Sequence, residues 1–236
     1  MNVSNNFKKG IRDGLPICFG YFAVSFAFGI FAVTEGLSAA EATLISIFNL
    51  TSAGQLSAVP IIASGGSFIE LALSQLVINA RYSLMSVSLS QKLDETVRLR
   101  DRLVIAFANT DEIFAVSSAQ PGCVGRKYML GLALTPFLGW TLGTLLGSIA
   151  GNVLPTVLVN ALGIAIYAMF IAIVVPVAKV ERGVLIASAA AVLLSVLLYY
   201  VPVLSEIPSG FSIIIIAVLV SGVMAVAAPV KEDGEQ

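Results

Sequence analysis

Apolar positions along the chain form eight separate stretches, joined by short polar connections. A helix needs roughly 20 apolar residues to cross the ~30 Å hydrocarbon core of a bilayer, and most of the stretches are that long. The pattern therefore predicts an all-α integral membrane protein. The stretches are 15–34, 42–63, 67–90, 103–118, 128–150, 154–178, 183–201 and 210–229.

The second stretch, 42–63, is broken in its middle by small and amide-bearing residues. Small residues at 52–54 suit an unwound turn between two half-helices, whose free amides and carbonyls can bind the charged ends of a substrate. A kinked packing helix is the alternative. The polar residues that we consider for binding here are Asn49, Ser52, Gly54 and Gln55.

The fourth stretch, 103–118, contains Asp111 and Glu112 and is too short for a full span. Sixteen residues at 1.5 Å each reach only about 24 Å, less than the hydrocarbon core requires. We therefore expect a second broken or re-entrant element here.

The distribution of lysine and arginine favours six full spans and two re-entrant elements. Basic residues accumulate on cytoplasmic loops. If all eight stretches cross, eight basic residues lie inside and four outside; if 42–63 and 103–118 return to the side that they entered, twelve lie inside and none outside. This arrangement predicts cytoplasmic termini, with an N-terminal segment at 1–13 and a tail at 230–236 that contains Lys231.

Three ionisable residues fall inside apolar stretches: Arg81, Asp111 and Glu112. Each costs roughly 2.5–3.5 kcal/mol to insert, so such residues usually pair or serve a function. Adjacent helical residues point about 100° apart, so one carboxylate can pair with Arg81 while the other faces a pathway. A structural ion pair and a substrate or proton site both remain open. Asn79 precedes Arg81 and joins the candidate binding residues.

A repeated glycine spacing in the fifth stretch predicts a smooth helix face for close packing. Packing within the chain and a groove for a partner subunit are both consistent with it. The glycines are Gly139, Gly143, Gly147 and Gly151.

Composition excludes several classes of protein. With 58% hydrophobic and 11% charged residues, the chain is not a soluble domain, and all 236 residues are expected to form one membrane domain. It contains no histidine and two distant cysteines, so we expect no metal, no cofactor and no enzyme activity. The net charge of −1 gives no attraction to nucleic acid.

Several short motifs together resemble the AzlC-type family of branched-chain amino acid exporters. The resemblance implies a permease of the bacterial inner membrane that exports leucine, isoleucine, valine or similar small amino acids. It also implies a small multispan partner of the AzlD type. The motifs are Gly14-Leu15-Pro16, Ala53-Gly54-Gln55, Asn79-Ala80-Arg81-Tyr82, Thr110-Asp111-Glu112-Ile113-Phe114 and Gly139-Trp140.

The function that we expect is secondary-active export of a small apolar amino acid. The substrate carboxylate would meet Arg81 and amides near Gly54, and its ammonium would meet Asp111 or Glu112. These two carboxylates are also the candidates for proton coupling, since burial favours a protonated carboxyl group. A channel or permease for another small solute and a non-transporting assembly subunit are the alternatives, and association into a homo-oligomer stays open.

Overall fold

The computed structural model describes residues 3–227, without the side chains of 3, 4, 156, 159–163, 165, 166, 169, 170 and 173. The predicted tail at 230–236, with Lys231, lies outside these residues. The helices are α1 (Phe7–Thr34), α2 (Ala39–Phe48), α3 (Ser52–Ala63), α4 (Phe68–Lys92), α5 (Leu99–Phe107), α6 (Asp111–Ser118), α7 (Arg126–Gly151), α8 (Thr156–Val180), α9 (Arg182–Tyr200) and α10 (Ser209–Ala227). Two short strands, β1 (Val3–Ser4) and β2 (Cys123–Val124), pair in parallel.

Six helices within residues 3–227 are 19 to 28 residues long. Even 19 residues reach about 28 Å, close to the thickness of the hydrocarbon core. Among the described residues, α1, α7, α9 and α10 are both long and apolar enough to cross a membrane. The remaining two, α4 and α8, have 25 residues each. The prediction of an all-α membrane protein is confirmed.

Helix α1 begins earlier than the predicted Leu15. Asn6 caps it, because its Oδ1 accepts the Lys9 N–H at 3.2 Å. Residues 7–13, predicted as a polar segment, are therefore helical. Their cytoplasmic location stays a prediction.

The second stretch is interrupted, but at 49–51 instead of the predicted 52–54. Helix α2 ends where Asn49 adopts an extended conformation, and α3 begins at Ser52. Thr51 caps α3, because its Oγ1 accepts the Gly54 N–H at 3.4 Å and its carbonyl accepts the Gln55 N–H at 3.0 Å. The capping threonine sets the position of the break, and the small residues form the first turn of the new helix.

The fourth stretch is also two helices. Helix α5 ends at Phe107, residues 108–110 form the linker, and α6 begins at Asp111. The stretch is helical from Leu99, four residues before the predicted 103. Whether either interrupted element crosses or re-enters the membrane stays a prediction.

The glycine face of α7 packs against α1 of the same chain, and the two helices run parallel. A Cβ on Gly139, Gly143 or Gly147 would overlap backbone atoms of α1, those of Cys18, Phe22 and Phe26 respectively. Among the described residues, this is the most extensive contact between two helices. Because α1 occupies this face, the alternative of a groove for a partner subunit does not fit.

The described residues divide into two compact units. Within residues 3–227, the first comprises 3–59 and 79–166, and the second comprises 60–78 and 167–227. In the second unit, α9 packs on α10, and the buried Glu70 accepts the Gly210 N–H through Oε1 at 2.8 Å. The prediction of a single membrane domain is not tested by this division.

Candidate functional site

Both interruptions line one cavity in the first unit, with a volume of about 120 Å³. We call it the linker cavity. The end of α2 with its linker contributes residues 48–51, α4 contributes Asn79 and Tyr82, and the end of α5 with its linker contributes residues 106, 107, 109 and 110. The broken segments thus bring backbone and polar side chains to one place, where a continuous helix would bury its polar backbone.

An ion pair stands beside the cavity. Arg81 Nη1 lies 2.9 Å from Asp111 Oδ2, and the two side chains are 51% and 47% exposed. Of the two carboxylates that the sequence offers to Arg81, it is Asp111 that pairs. Asp111 also occupies the first turn of α6, where the helix dipole favours a negative charge.

Arg81 connects this pair to the other interruption through Tyr82. The guanidinium lies over the Tyr82 ring, 4.9 Å from its centroid, and donates to the Tyr82 hydroxyl at 3.3 Å. That hydroxyl in turn donates to Thr51 Oγ1 at 3.4 Å. A continuous line of polar contacts therefore runs from Asp111 in the second interruption to Thr51 in the first.

Glu112 faces α1. The Tyr21 hydroxyl donates to Glu112 Oε2 at 2.5 Å and lies 2.6 Å from Thr110 Oγ1. The Tyr21 ring meets Trp140 edge to face, with 5.2 Å between centroids. Adjacent carboxylates thus have different partners, as the 100° offset between them requires.

Gln55 does not face the cavity, which corrects its predicted role. Its side chain is fully buried; Oε1 accepts the Trp140 Nε1–H at 2.7 Å, and Nε2 donates to Ser46 Oγ at 2.7 Å. Ser46 bonds further to Thr144 at 2.7 Å. Because both ends of the amide are engaged, Gln55 joins α3 to α2 and α7 and is not available to a substrate.

The other predicted residues divide in the same way. Asn49 and Asn79 line the cavity. Ser52 and Gly54 do not, because they lie in the first turn of α3 with Gly54 buried. Arg81 and Asp111 each adjoin a lining residue in the sequence and pair with each other, whereas Glu112 bonds to Tyr21.

Four polar residues that line the cavity were not among the predicted binding residues: Thr51, Tyr82, Asn109 and Thr110. Asn109 is 3% exposed; its Nδ2 donates to Ser86 Oγ at 3.1 Å, and its Oδ1 has no partner among the described residues. Asn109 and Thr110 directly precede the two carboxylates. Their position beside charged residues in an apolar stretch is the sequence signal that could have identified them.

The site offers a cation, carboxylates, an amide and hydroxyls around a small space. Groups of these kinds can hydrogen-bond and form ion pairs with a small molecule that carries both charges. Within residues 3–227, no group of three or more histidine, cysteine, aspartate or glutamate side chains is placed to hold a metal ion.

Known membrane proteins are similar to this chain over about three fifths of its length. The chain is 30% identical to the inner membrane protein YgaZ of Escherichia coli over 145 residues, 60% of this chain and 59% of that protein. It is 33% identical to an uncharacterized membrane protein of Archaeoglobus fulgidus over 146 residues, 61% and 62% of the two chains. An uncharacterized membrane protein of Helicobacter pylori is 27% identical over 148 residues, 59% and 64% of the two chains.

The matched region therefore spans about three fifths of the length of these relatives. No solved structure matches the chain. The family model described as AzlC protein matches residues 16–154, which include α2 to α6 entirely, both interruptions and every predicted binding residue. The chain belongs to the AzlC family of membrane proteins.

Proposed function

We propose that this protein exports small apolar amino acids across the bacterial inner membrane, and that the linker cavity and the Arg81–Asp111 pair bind the substrate. Membership of the AzlC family supports a role as a membrane transporter. The observation that carries the proposal is the ion pair beside a cavity that two broken segments line.

A zwitterion fits this pair because it carries the same two charges. The substrate carboxylate replaces Asp111 on Arg81, and the substrate ammonium replaces Arg81 on Asp111. Binding then separates Arg81 from Asp111 while each keeps a partner of opposite charge. An unpaired charge away from water would be costly. The apolar side chain of the substrate would contact Leu50 and Phe107, which line the cavity.

Proton coupling follows from competition for one carboxylate. A proton on Asp111 removes the negative partner of both Arg81 and the substrate ammonium. Loading a proton therefore releases the substrate, and binding of the substrate releases the proton. Glu112, which Tyr21 holds next to this group, is the second carboxylate in the proposed scheme.

A small multispan partner of the AzlD type belongs to the proposal, as does an orientation with both termini in the cytoplasm. In the second unit, α9 and α10 expose nearly all their apolar surface, which lipid, such a partner or a second copy of this chain would cover. Export measured with and without the co-expressed partner tests this part.

The principal test is Asp111→Asn, which keeps the shape and removes the charge. We expect efflux of preloaded labelled valine and leucine to fall about 10–100-fold, because the loss of one charge-assisted hydrogen bond weakens binding by about this factor. We also expect the residual efflux to lose its dependence on pH, with the protein still present in the membrane. Glu95→Gln, an exposed carboxylate remote from the cavity lining, is the control and should export normally.

Three outcomes would contradict the proposal. Normal export by Asp111→Asn over a pH series excludes the coupling scheme. Wild-type flux that never accumulates substrate against a gradient indicates a channel. Intact transport after Arg81→Gln and Asp111→Asn together indicates that the pair only assembles the protein.

A further inference from the structure

A second cavity of about 120 Å³ adjoins the linker cavity within the first unit. It lies between α4 and α5, and we call it the serine cavity. Ser86, Ser90, Arg102, Ala106 and Asn109 line it, together with apolar side chains of α4 and α5. A single water needs only about 10–15 Å³, so the space holds a larger ligand.

Asn109 and Ala106 line both cavities, so they form the wall between them. The Asn109 amide donates to Ser86 across this wall at 3.1 Å. Its Oδ1 is buried and has no partner among residues 3–227. Buried polar atoms are nearly always hydrogen-bonded, so an acceptor left open at the boundary of two cavities indicates a ligand that donates to it.

Arg102 supplies a positive charge to the serine cavity. Arg81 and Arg126 each pair with an aspartate, whereas the partly buried Arg102 has no carboxylate within ion-pair distance among the described residues. A guanidinium that lines a small cavity without an acidic partner favours a ligand with a carboxylate.

We infer that the serine cavity is a second binding site for the exported amino acid, through which the substrate enters from the cytoplasm. Arg102 binds the substrate carboxylate, and Asn109 Oδ1 accepts a hydrogen bond from its ammonium. The substrate then passes the Ser86–Asn109 contact to reach the linker cavity. This inference rests on the proposed function. The predicted cytoplasmic position of loop 91–102 places Arg102 at the entrance.

The test compares Arg102→Gln with Arg100→Gln in inside-out vesicles, where export appears as uptake. Arg100 lies on the same helix, is exposed and does not line the cavity. We expect Arg102→Gln to raise the half-saturating concentration of labelled valine about tenfold, with little change in maximal rate. Arg100→Gln should match the wild type.

Valinamide, which lacks the carboxylate, separates binding from a general effect of charge. We expect it to inhibit the wild type and Arg102→Gln at the same concentration, because it makes no bond to Arg102. If Arg102→Gln weakens inhibition by valinamide as much as it weakens valine uptake, Arg102 does not bind the carboxylate and the inference is overturned.

Thiol labelling of an introduced cysteine measures substrate binding independently of transport. In a chain with both native cysteines replaced by serine, valine should slow the labelling of Ser90→Cys several-fold. It should leave Val87→Cys unchanged, because Val87 is 62% exposed and does not line the cavity. Wild-type export with no protection at Ser90→Cys refutes only the serine cavity; absence of wild-type export refutes the proposed function itself.

Discussion

The two interruptions share one plan and differ in chemistry. Each joins two short helices through three residues, 49–51 and 108–110, and each has a threonine directly before the second helix. Thr51 caps α3 with its side chain, whereas Thr110 makes no such bond and its hydroxyl contacts Tyr21. The first turn that follows is neutral in α3 and carries two carboxylates in α6.

This difference separates support from function. At the neutral interruption, the buried Gln55 amide bonds to Ser46 and Trp140 and so holds α3 against α2 and α7. The charged interruption leads into Asp111, whose side chain is about half exposed and pairs with a cation that a zwitterion can replace. Neutral bonds inside the protein hold the helices in place, while an accessible ion pair exchanges partners. Stability should therefore depend on the first interruption and export on the second.

The largest effect on stability should come from Gln55→Leu. The change leaves Trp140 Nε1–H and one bond of Ser46 unsatisfied in a buried place, at a cost of about 1–3 kcal/mol for each. At roughly 2–4 °C per kcal/mol, the melting temperature falls by several degrees. Thermal unfolding of the purified protein, followed by the loss of its helical circular dichroism signal, measures this.

Gln91→Leu, on an exposed glutamine of α4, is the matched control and should leave the melting temperature unchanged. The double variant Gln55→Leu with Trp140→Phe should cost less than the sum of the single changes, because both remove the same bond. An equal loss from Gln91→Leu, or full additivity, would contradict the supporting role of Gln55.

A smaller effect is expected from Tyr21→Phe at the charged interruption. Phenylalanine keeps the ring contact with Trp140 and loses the bond to Glu112. Because Glu112 is exposed, the loss should be about 1 kcal/mol, a fall of roughly 2–4 °C in melting temperature. We also expect the rate of export to fall by more than this small loss of stability can explain, since Glu112 belongs to the proposed coupling scheme.

Tyr199→Phe is the control for this change, because Tyr199 is 73% exposed. It should alter neither property. If Tyr21→Phe lowers the melting temperature as much as Gln55→Leu and leaves export normal, the two interruptions are both structural and the contrast between them fails.

Local sequence predicted both interruptions but placed the first one three residues late. The length of an apolar stretch and the polar residues within it can be read from the local sequence. The apolar pattern therefore predicted the helices and the presence of both breaks. The exact break depends on which residue caps the next helix. Thr51 caps α3, while Gly54, whose backbone is conformationally freer, lies inside α3.

The composition of the site was less accessible, because it depends on contacts between distant parts of the chain. Gln55 and Asn109 are both polar residues in apolar stretches, and nothing local distinguishes them. Only the fold shows that Trp140 and Ser46 engage the first, while the second keeps an open acceptor at a cavity. The partner of the α7 glycines was hidden for the same reason: α1 lies more than one hundred residues earlier.

The smallest effect concerns the start of α2, which leads into the neutral interruption. Glu41 Oε2 accepts hydrogen bonds from the Ser38 hydroxyl at 2.6 Å and the Ser38 N–H at 2.7 Å. These bonds lower the pKa of Glu41 below its usual value. Its carboxylate therefore contributes stability above the pKa of the unfolded chain, and this contribution disappears as the pH falls through the lower pKa of the folded state.

Glu41→Gln should accordingly lower the melting temperature slightly near neutral pH, and this difference should disappear as the pH falls through the pKa of Glu41 in the folded state. The effect is small because Glu41 is fully exposed. Glu35→Gln, an exposed change at the end of α1, is the control and should leave the melting temperature unchanged. Export should be unaffected by Glu41→Gln at every pH, because the cap lies outside both cavities; a shifted pH profile of export would place a coupling group at the neutral interruption and reverse the assignment of roles.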